Sequence, residues 1–137
     1  MIRVLLPVDG SENAARAVHA VARCSQRVAP VEVQLLYVQL DDGTAFGALD
    51  EPPRNDALEA GNRALQSASA VLRGAGIACT SESRKGFVPS VIIQYAKSAN
   101  CDAIVMGTRG MGSTEQVLGS IARQVINLSD LPVTLVK

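Results

Sequence analysis

The chain alternates between two hydrophobic patterns. "IRVLLPV", residues 2–8, is a short apolar run of the kind a buried strand needs, and Asp9-Gly10-Ser11 ends it with a turn and a helix N-cap signal. Ala14, Val18, Val21 and Val28 then recur at helical spacing, with Arg16, His19, Arg23 and Arg27 on the other side. That predicts an amphipathic helix whose buried stripe includes Val28. "VEVQLLYV", residues 31–38, predicts a second strand. A second helix carries Leu58, Gly61, Leu65, Ala68 and Leu72 on one stripe, and Gly74 and Gly76 stop it. "IACTSES", residues 77–83, alternates, with Ile77 and Cys79 on one face and Thr80 and Glu82 on the other. It is polar enough for an edge strand. "VPSVIIQYAKSAN" predicts a third helix, opened by Pro89 in its first turn. "CDAIVMG" is a fourth strand. Residues 120–128 form a fourth helix with Ile121, Val125 and Leu128 facing in, and "LPVTLVK" closes as a fifth strand with Pro132 at its start.

Strand and helix alternating through the whole chain predict a single α/β domain, residues 1–137, with a parallel sheet and helices on both faces. The first, second and fourth strands are nearly continuous apolar runs, which suits central positions. Such sheets bind ligands beyond the carboxyl ends of their strands, where strand order reverses. With the first and fourth strands as neighbours there, "PVDGS" and "MGTRGMGS" fall side by side. One stretch, Gln39 to Asp56, fits no element: it mixes glycine, proline and acids. It reads as a long loop, either a lid or a disordered connection.

Charge narrows the class. The 13 basic and 13 acidic residues give a formal net charge of zero. That predicts neither a nucleic-acid partner nor a membrane one. No apolar run reaches ~18 residues, and the first residues lack a signal peptide's long apolar region, so the expectation is a cytoplasmic protein. Cys24, Cys79 and Cys101 are widely spaced and form no CxxC, which predicts reduced packing residues and no metal site. The single histidine, His19, lies between Arg16 and Arg23 at helical spacing and is expected on a solvated face. No catalytic residue is assigned.

"MGTRGMGSTEQVLGS", Met106 to Ser120, holds four glycines and four Ser or Thr residues directly after a predicted strand. Glycines let a ligand approach main-chain N–H groups, and successive N–H groups make an anion nest. Gly119-Ser120 opens the fourth helix, whose N-terminus offers further free N–H groups and positive potential. Arg109 and Arg123 can add charge. A polyphosphate site is therefore chemically reasonable here, and a tight structural turn is the alternative. Gly107 to Ser113 has the G-x4-G-S spacing of a P-loop but lacks its lysine, and Gly110-Met111-Gly112 is followed by Glu115 where a dinucleotide fingerprint needs glycine.

"LLPVDGSENAARAV", "VIIQYAKSANCDAIVMGTRGMGS" and "LGSIARQVINLSDLPVTLVK" resemble the universal stress protein family, over nearly all the chain outside residues 39–56. The carrying motif is G-x2-G-x9-G-[S/T] of the nucleotide-binding branch. Gly107 and Gly110 match its first half and Gly119-Ser120 its end, while the spacer "MGSTEQVL" is eight residues, one short. The resemblance implies a five-stranded parallel sheet of order 3-2-1-4-5, like that of the adenine nucleotide alpha hydrolases. It also implies an adenine nucleotide, ATP or AMP with accompanying Mg2+, bound between the ends of the first and fourth strands. Pro7, Val8, Asp9 and Val38 are then expected around the adenine, and Met106, Gly107, Arg109, Gly110, Gly119, Ser120 and Ile121 around ribose and phosphates. The implied role is stress response or regulation, with at most slow ATP hydrolysis or autophosphorylation. The alternative is a dimeric interaction module of the same fold that binds no nucleotide. The apolar fifth strand, guarded by Lys137, predicts a homodimer through residues 132–137, as the resemblance also suggests.

Overall fold

Each change of hydrophobic period is realised as a change of element in a computed structural model, which describes residues 1–40, 55–108 and 118–137. The strands are β1 (Ile2–Pro7), β2 (Val31–Leu40), β3 (Ala78–Gly86), β4 (Ala103–Gly107) and β5 (Val133–Val136). The helices are α1 (Glu12–Ser25), α2 (Asn55–Gly74), α3 (Val88–Ser98) and α4 (Ser120–Leu128). The strands form one sheet of order β3-β2-β1-β4-β5, every pair parallel. This is the α/β architecture expected, with β3 and β5 at the edges.

Two apolar layers flank the sheet. On one side Leu6, Val33 and Leu35 meet Ala17, Val18 and Val21 of α1 and Leu65, Ala68 and Leu72 of α2. On the other, Leu5, Leu36 and Ile104 meet Ile92, Tyr95 and Ala96 of α3 and Ala122 and Val125 of α4. Leu5, Leu6, Leu35 and Leu36 are fully buried, each contributing about 1.5–3 kcal/mol relative to exposure. Adjacent residues of β1 and β2 thus feed opposite layers, which is why these strands lack a polar face. Buried Gln34 of β2 is the exception, and it is answered by the Thr80 hydroxyl on β3. Gly61 lets α2 close on β2: a Cβ there would come within 2.4 Å of the Tyr37 ring.

Three residues expected inside are outside. Val28 is 83% exposed, because α1 stops at Ser25 and its last turn closes with the Val28 N–H on the Cys24 carbonyl. Leu58 is exposed, one turn before α2 reaches Tyr37 at Gly61. Leu128 is exposed as the last residue of α4. The edge strand β3 is longer than the polar alternation indicated, running on through Arg84 and Lys85. Of the stretch expected as a loop, Gln39 and Leu40 belong to β2 and Asn55 and Asp56 to α2. Residues 41–54 lie outside the described residues. Cys24 is exposed, Cys79 half-buried and Cys101 buried, all as free thiols.

Candidate functional site

Strand order reverses between β1 and β4, so the segments leaving these two strands diverge and open a cleft at their carboxyl ends. On the β1 side, pairing continues one residue past the strand, with the Val8 N–H on the Leu36 carbonyl at 2.9 Å. Asp9 then turns the chain: its Oδ1 accepts from the Ser11 N–H at 2.9 Å, and Gly10 sits at φ +84°. Ser11, not Asp9, caps α1, its Oγ accepting from the Ala14 N–H at 3.2 Å. Asp9 itself is exposed, and among the described residues only its Oδ1 is engaged.

On the β4 side the strand ends at Gly107. A Cβ on Gly107 would lie 2.8 Å from the backbone carbon of Asn13 in α1. The glycine is therefore needed for helix-on-strand packing, whatever else approaches it. Thr108 follows with its polar groups committed: N–H to the Val136 carbonyl at 3.1 Å, carbonyl to the Gly119 N–H at 2.7 Å, and Oγ1 to Asn13 Oδ1 at 2.9 Å.

Gly119 is the N-cap of α4 and offers no side-chain cap. The first helical bond runs from the Arg123 N–H to the Gly119 carbonyl at 3.0 Å. The N–H groups of Ser120, Ile121 and Ala122 therefore have no partner inside the helix. They form a positive helix end beside the cleft. Arg123 directs its guanidinium to the Leu118 carbonyl at 3.2 Å, where it braces the entry to the helix.

The cleft so bounded holds about 510 Å³, within the ordinary range for small-molecule sites. Pro7, Val8 and Asp9 form one wall, Met106 and Gly107 the floor, and Gly119, Ser120 and Ile121 the opposite wall. Eight of the eleven residues selected from the sequence thus converge. Val38 does not border the cleft; it leans on the apolar layer under α3. Arg109 and Gly110 lie outside the described residues, as does Glu115. Val88 and Ile92 of α3 also line the cleft and were missed. Their signal was present: α3 follows β3, so its first turns share the carboxyl edge of the sheet, and the two residues are one helical turn apart.

His19 is exposed and borders a second groove, between α1 and α2, along with Arg63. No group of three or more His, Cys, Asp or Glu residues suited to a metal ion occurs among the described residues, and none of their helices is long and apolar enough to cross a membrane. Among the described residues two ionisations are displaced, those of Tyr95 and Cys101. Burial, then the Glu82 carboxylate, pushes Tyr95 up to about 12. Burial also raises the Cys101 thiol.

A doubly wound sheet with a cleft of small-molecule size at its switch point, apolar on one side and bounded by a helix N-terminus on the other, defines the class of α/β domain. The chain belongs to the universal stress protein family, whose model matches residues 1–137. A universal stress protein of Synechocystis sp. is 36% identical over 134 residues, covering 97% of this chain and 83% of that protein. Among solved structures, the universal stress protein UspA from Lactobacillus plantarum superposes with a TM-score of 0.82 at 25% identity, covering 99% of this chain and 97% of its own. The universal stress protein from Archaeoglobus fulgidus in complex with dAMP superposes at 0.73 with 24% identity, covering 100% and 98%, a likeness of fold.

Proposed function

We propose that this universal stress protein binds an adenine nucleotide, AMP or ATP, in the cleft between β1 and β4, and acts as a nucleotide-responsive regulatory protein. The observation that carries the reading is the pairing of two chemistries across one cleft. The uncapped N-terminus of α4 faces a wall ending in Pro7, Val8 and Asp9. A nucleotide has the same division, an apolar base at one end and phosphate anions at the other. The fold likeness to the dAMP-bound Archaeoglobus protein supports it.

The residues fit such a ligand. Pro7, Val8, Val88, Ile92 and Met106 provide a flat apolar enclosure for a base. Asp9 has carboxylate capacity beyond the one bond to Ser11 and accepts from the base or its ribose. The N–H groups of Ser120 and Ile121, the Ser120 hydroxyl and the helix dipole hold phosphate. Arg109 and Gly110 occupy the motif positions that the family resemblance assigns to the phosphates. When bound, the nucleotide supplies an anion to a helix end whose first turn holds no acidic residue. Asp9 is the cleft's one carboxylate among the described residues, so Mg2+ enters with the phosphates.

Assembly is part of the same reading. Among the described residues β5 pairs only with β4, leaving its outer edge open, and α4 beside it exposes Ile126 and Leu128. A second copy pairing along residues 132–137 covers that edge.

Denaturing the purified protein and analysing the released small molecules by mass spectrometry tests the proposal. Stoichiometric AMP, ADP or ATP is the expected result. Absence of any nucleotide, together with no binding of added AMP or ATP at millimolar concentration, refutes it and favours an interaction module.

A further inference from the structure

Thr108 borders the cleft yet turns none of its donors into it. The N–H goes to Val136, the hydroxyl to Asn13 Oδ1, and the carbonyl accepts from Gly119. Asn13 is 8% exposed, in the first turn of α1, and is not on the cleft wall. The same first turn is pressed on the end of β4, since a Cβ on Gly107 would meet Asn13 backbone and side chain at 2.8–3.0 Å. The contact has no slack, so a change in the Asn13 side chain is felt by the peptide it holds.

We infer that Asn13 is a positioning residue for the cleft. Through the Thr108 hydroxyl it fixes the Thr108 peptide. That peptide holds the Gly119 N–H, and with it the first N–H groups of α4. With its hydrogen given to Asn13, the hydroxyl has no donor left to offer the anion side of the cleft. The ligand class is the phosphate end of a nucleotide, and in that respect the inference rests on the proposed function. The coupling from α1 to α4 stands on the hydrogen bonds alone.

Four variants of the full chain test it: Asn13→Ala, Thr108→Val, Thr108→Ser and the double variant Asn13→Ala/Thr108→Val. Two quantities are read, AMP affinity by calorimetry and amide hydrogen exchange at Gly119 and at Leu5 of β1. Asn13→Ala and Thr108→Val each weaken AMP by about five- to tenfold, the loss of one hydrogen bond. The double variant is no weaker than either single one, because both remove the same link. Thr108→Ser, which keeps the hydroxyl, stays within about twofold of wild type. Exchange quickens at Gly119 and not at Leu5. Wild-type affinity in Asn13→Ala, additive losses in the double variant, or equal quickening at both amides would overturn the inference. If wild-type protein binds no AMP, the nucleotide reading falls, and Gly119 exchange alone decides the link: faster in Asn13→Ala supports it, unchanged overturns it.

Discussion

The Gly119 N–H donates to the Thr108 carbonyl at 2.7 Å, so the chain leaves β4 and re-enters α4 through a closed neck. The family motif asks for nine residues between its second and third glycines, and this chain has eight, Met111 to Leu118. Whatever path residues 109–117 take, the shortened spacer leaves Gly119-Ser120 seated against the end of β4. The start of α4 is therefore kept at the cleft despite the missing residue.

Gly107 is held by packing against Asn13, and this has a consequence. Gly107→Ala forces the first turn of α1 off the end of β4. The overpacking is expected to cost ~1–3 kcal/mol. Thermal unfolding checks it, with Gly10→Ala as a separate comparison in which the strain comes from positive φ and not from contact. A Gly107→Ala protein melting with wild type would remove the packing requirement.

Asp9 has two roles to separate. Its Oδ1 holds the Ser11 N–H, a bond that Asn also makes. Asp9→Asn is therefore expected to keep the wild-type melting temperature, while Asp9→Ala loses ~1 kcal/mol. Asp9→Ala is expected to weaken adenosine and AMP about three- to tenfold and leave inorganic triphosphate nearly unaffected. Equal losses for all three ligands in calorimetry would take Asp9 out of the base side.

The alternating architecture was legible because buried parallel strands carry unbroken apolar runs and the helices between them keep one apolar stripe. Periodicity does not reveal where a helix stops or how far the sheet beneath it extends. Val28, Leu58 and Leu128 therefore fit the stripes and yet lie outside. The cleft was legible where turn chemistry marks it, at Asp9 and at Gly119-Ser120. It was not legible where its walls come from packing: Ile92 reads as ordinary core, and the reason for Gly107 is Asn13, 94 positions away in sequence and adjacent only after folding.

Alkaline stability follows from Tyr95. In the fold it keeps its proton to about pH 12, because burial and the Glu82 carboxylate disfavour the phenolate, against 10.0 for a free tyrosine. Its contribution is full below pH 10 and is lost as the pH rises toward 12, since only the unfolded chain releases the proton in that window. Tyr95→Phe is expected to flatten the fall in melting temperature between pH 10 and 12. An unchanged slope would place the alkaline sensitivity elsewhere.

The open edge of β5 predicts a homodimer. The carbonyls of Pro132 and Val136 accept from the N–H groups of Ile104 in β4 and Thr108 just beyond it, so by alternation Thr134 also faces inward, and the outward N–H groups belong to Val133 and Leu135. Val133→Pro removes an outward donor and is expected to shift the sedimenting species from dimer to monomer at micromolar concentration. Wild-type protein sedimenting as a monomer under those conditions would refute the assembly.

The start of α4, where Gly119 offers no side-chain cap, is proposed to hold the phosphates of an adenine nucleotide. Calorimetric titration of AMP and ATP into wild type and Gly119→Val tests it most directly, with the ligand-free melting temperature of each recorded alongside. Gly119 sits at φ −66° and ψ 158°, a conformation open to valine, so the change brings no backbone strain, while the β-branched side chain is expected to block the helix end. Wild type is expected to bind at least one nucleotide, and Gly119→Val to lose that binding while still unfolding cooperatively, with at most the modest melting-temperature loss of a poorer N-cap. Equal affinity in the two proteins would contradict it.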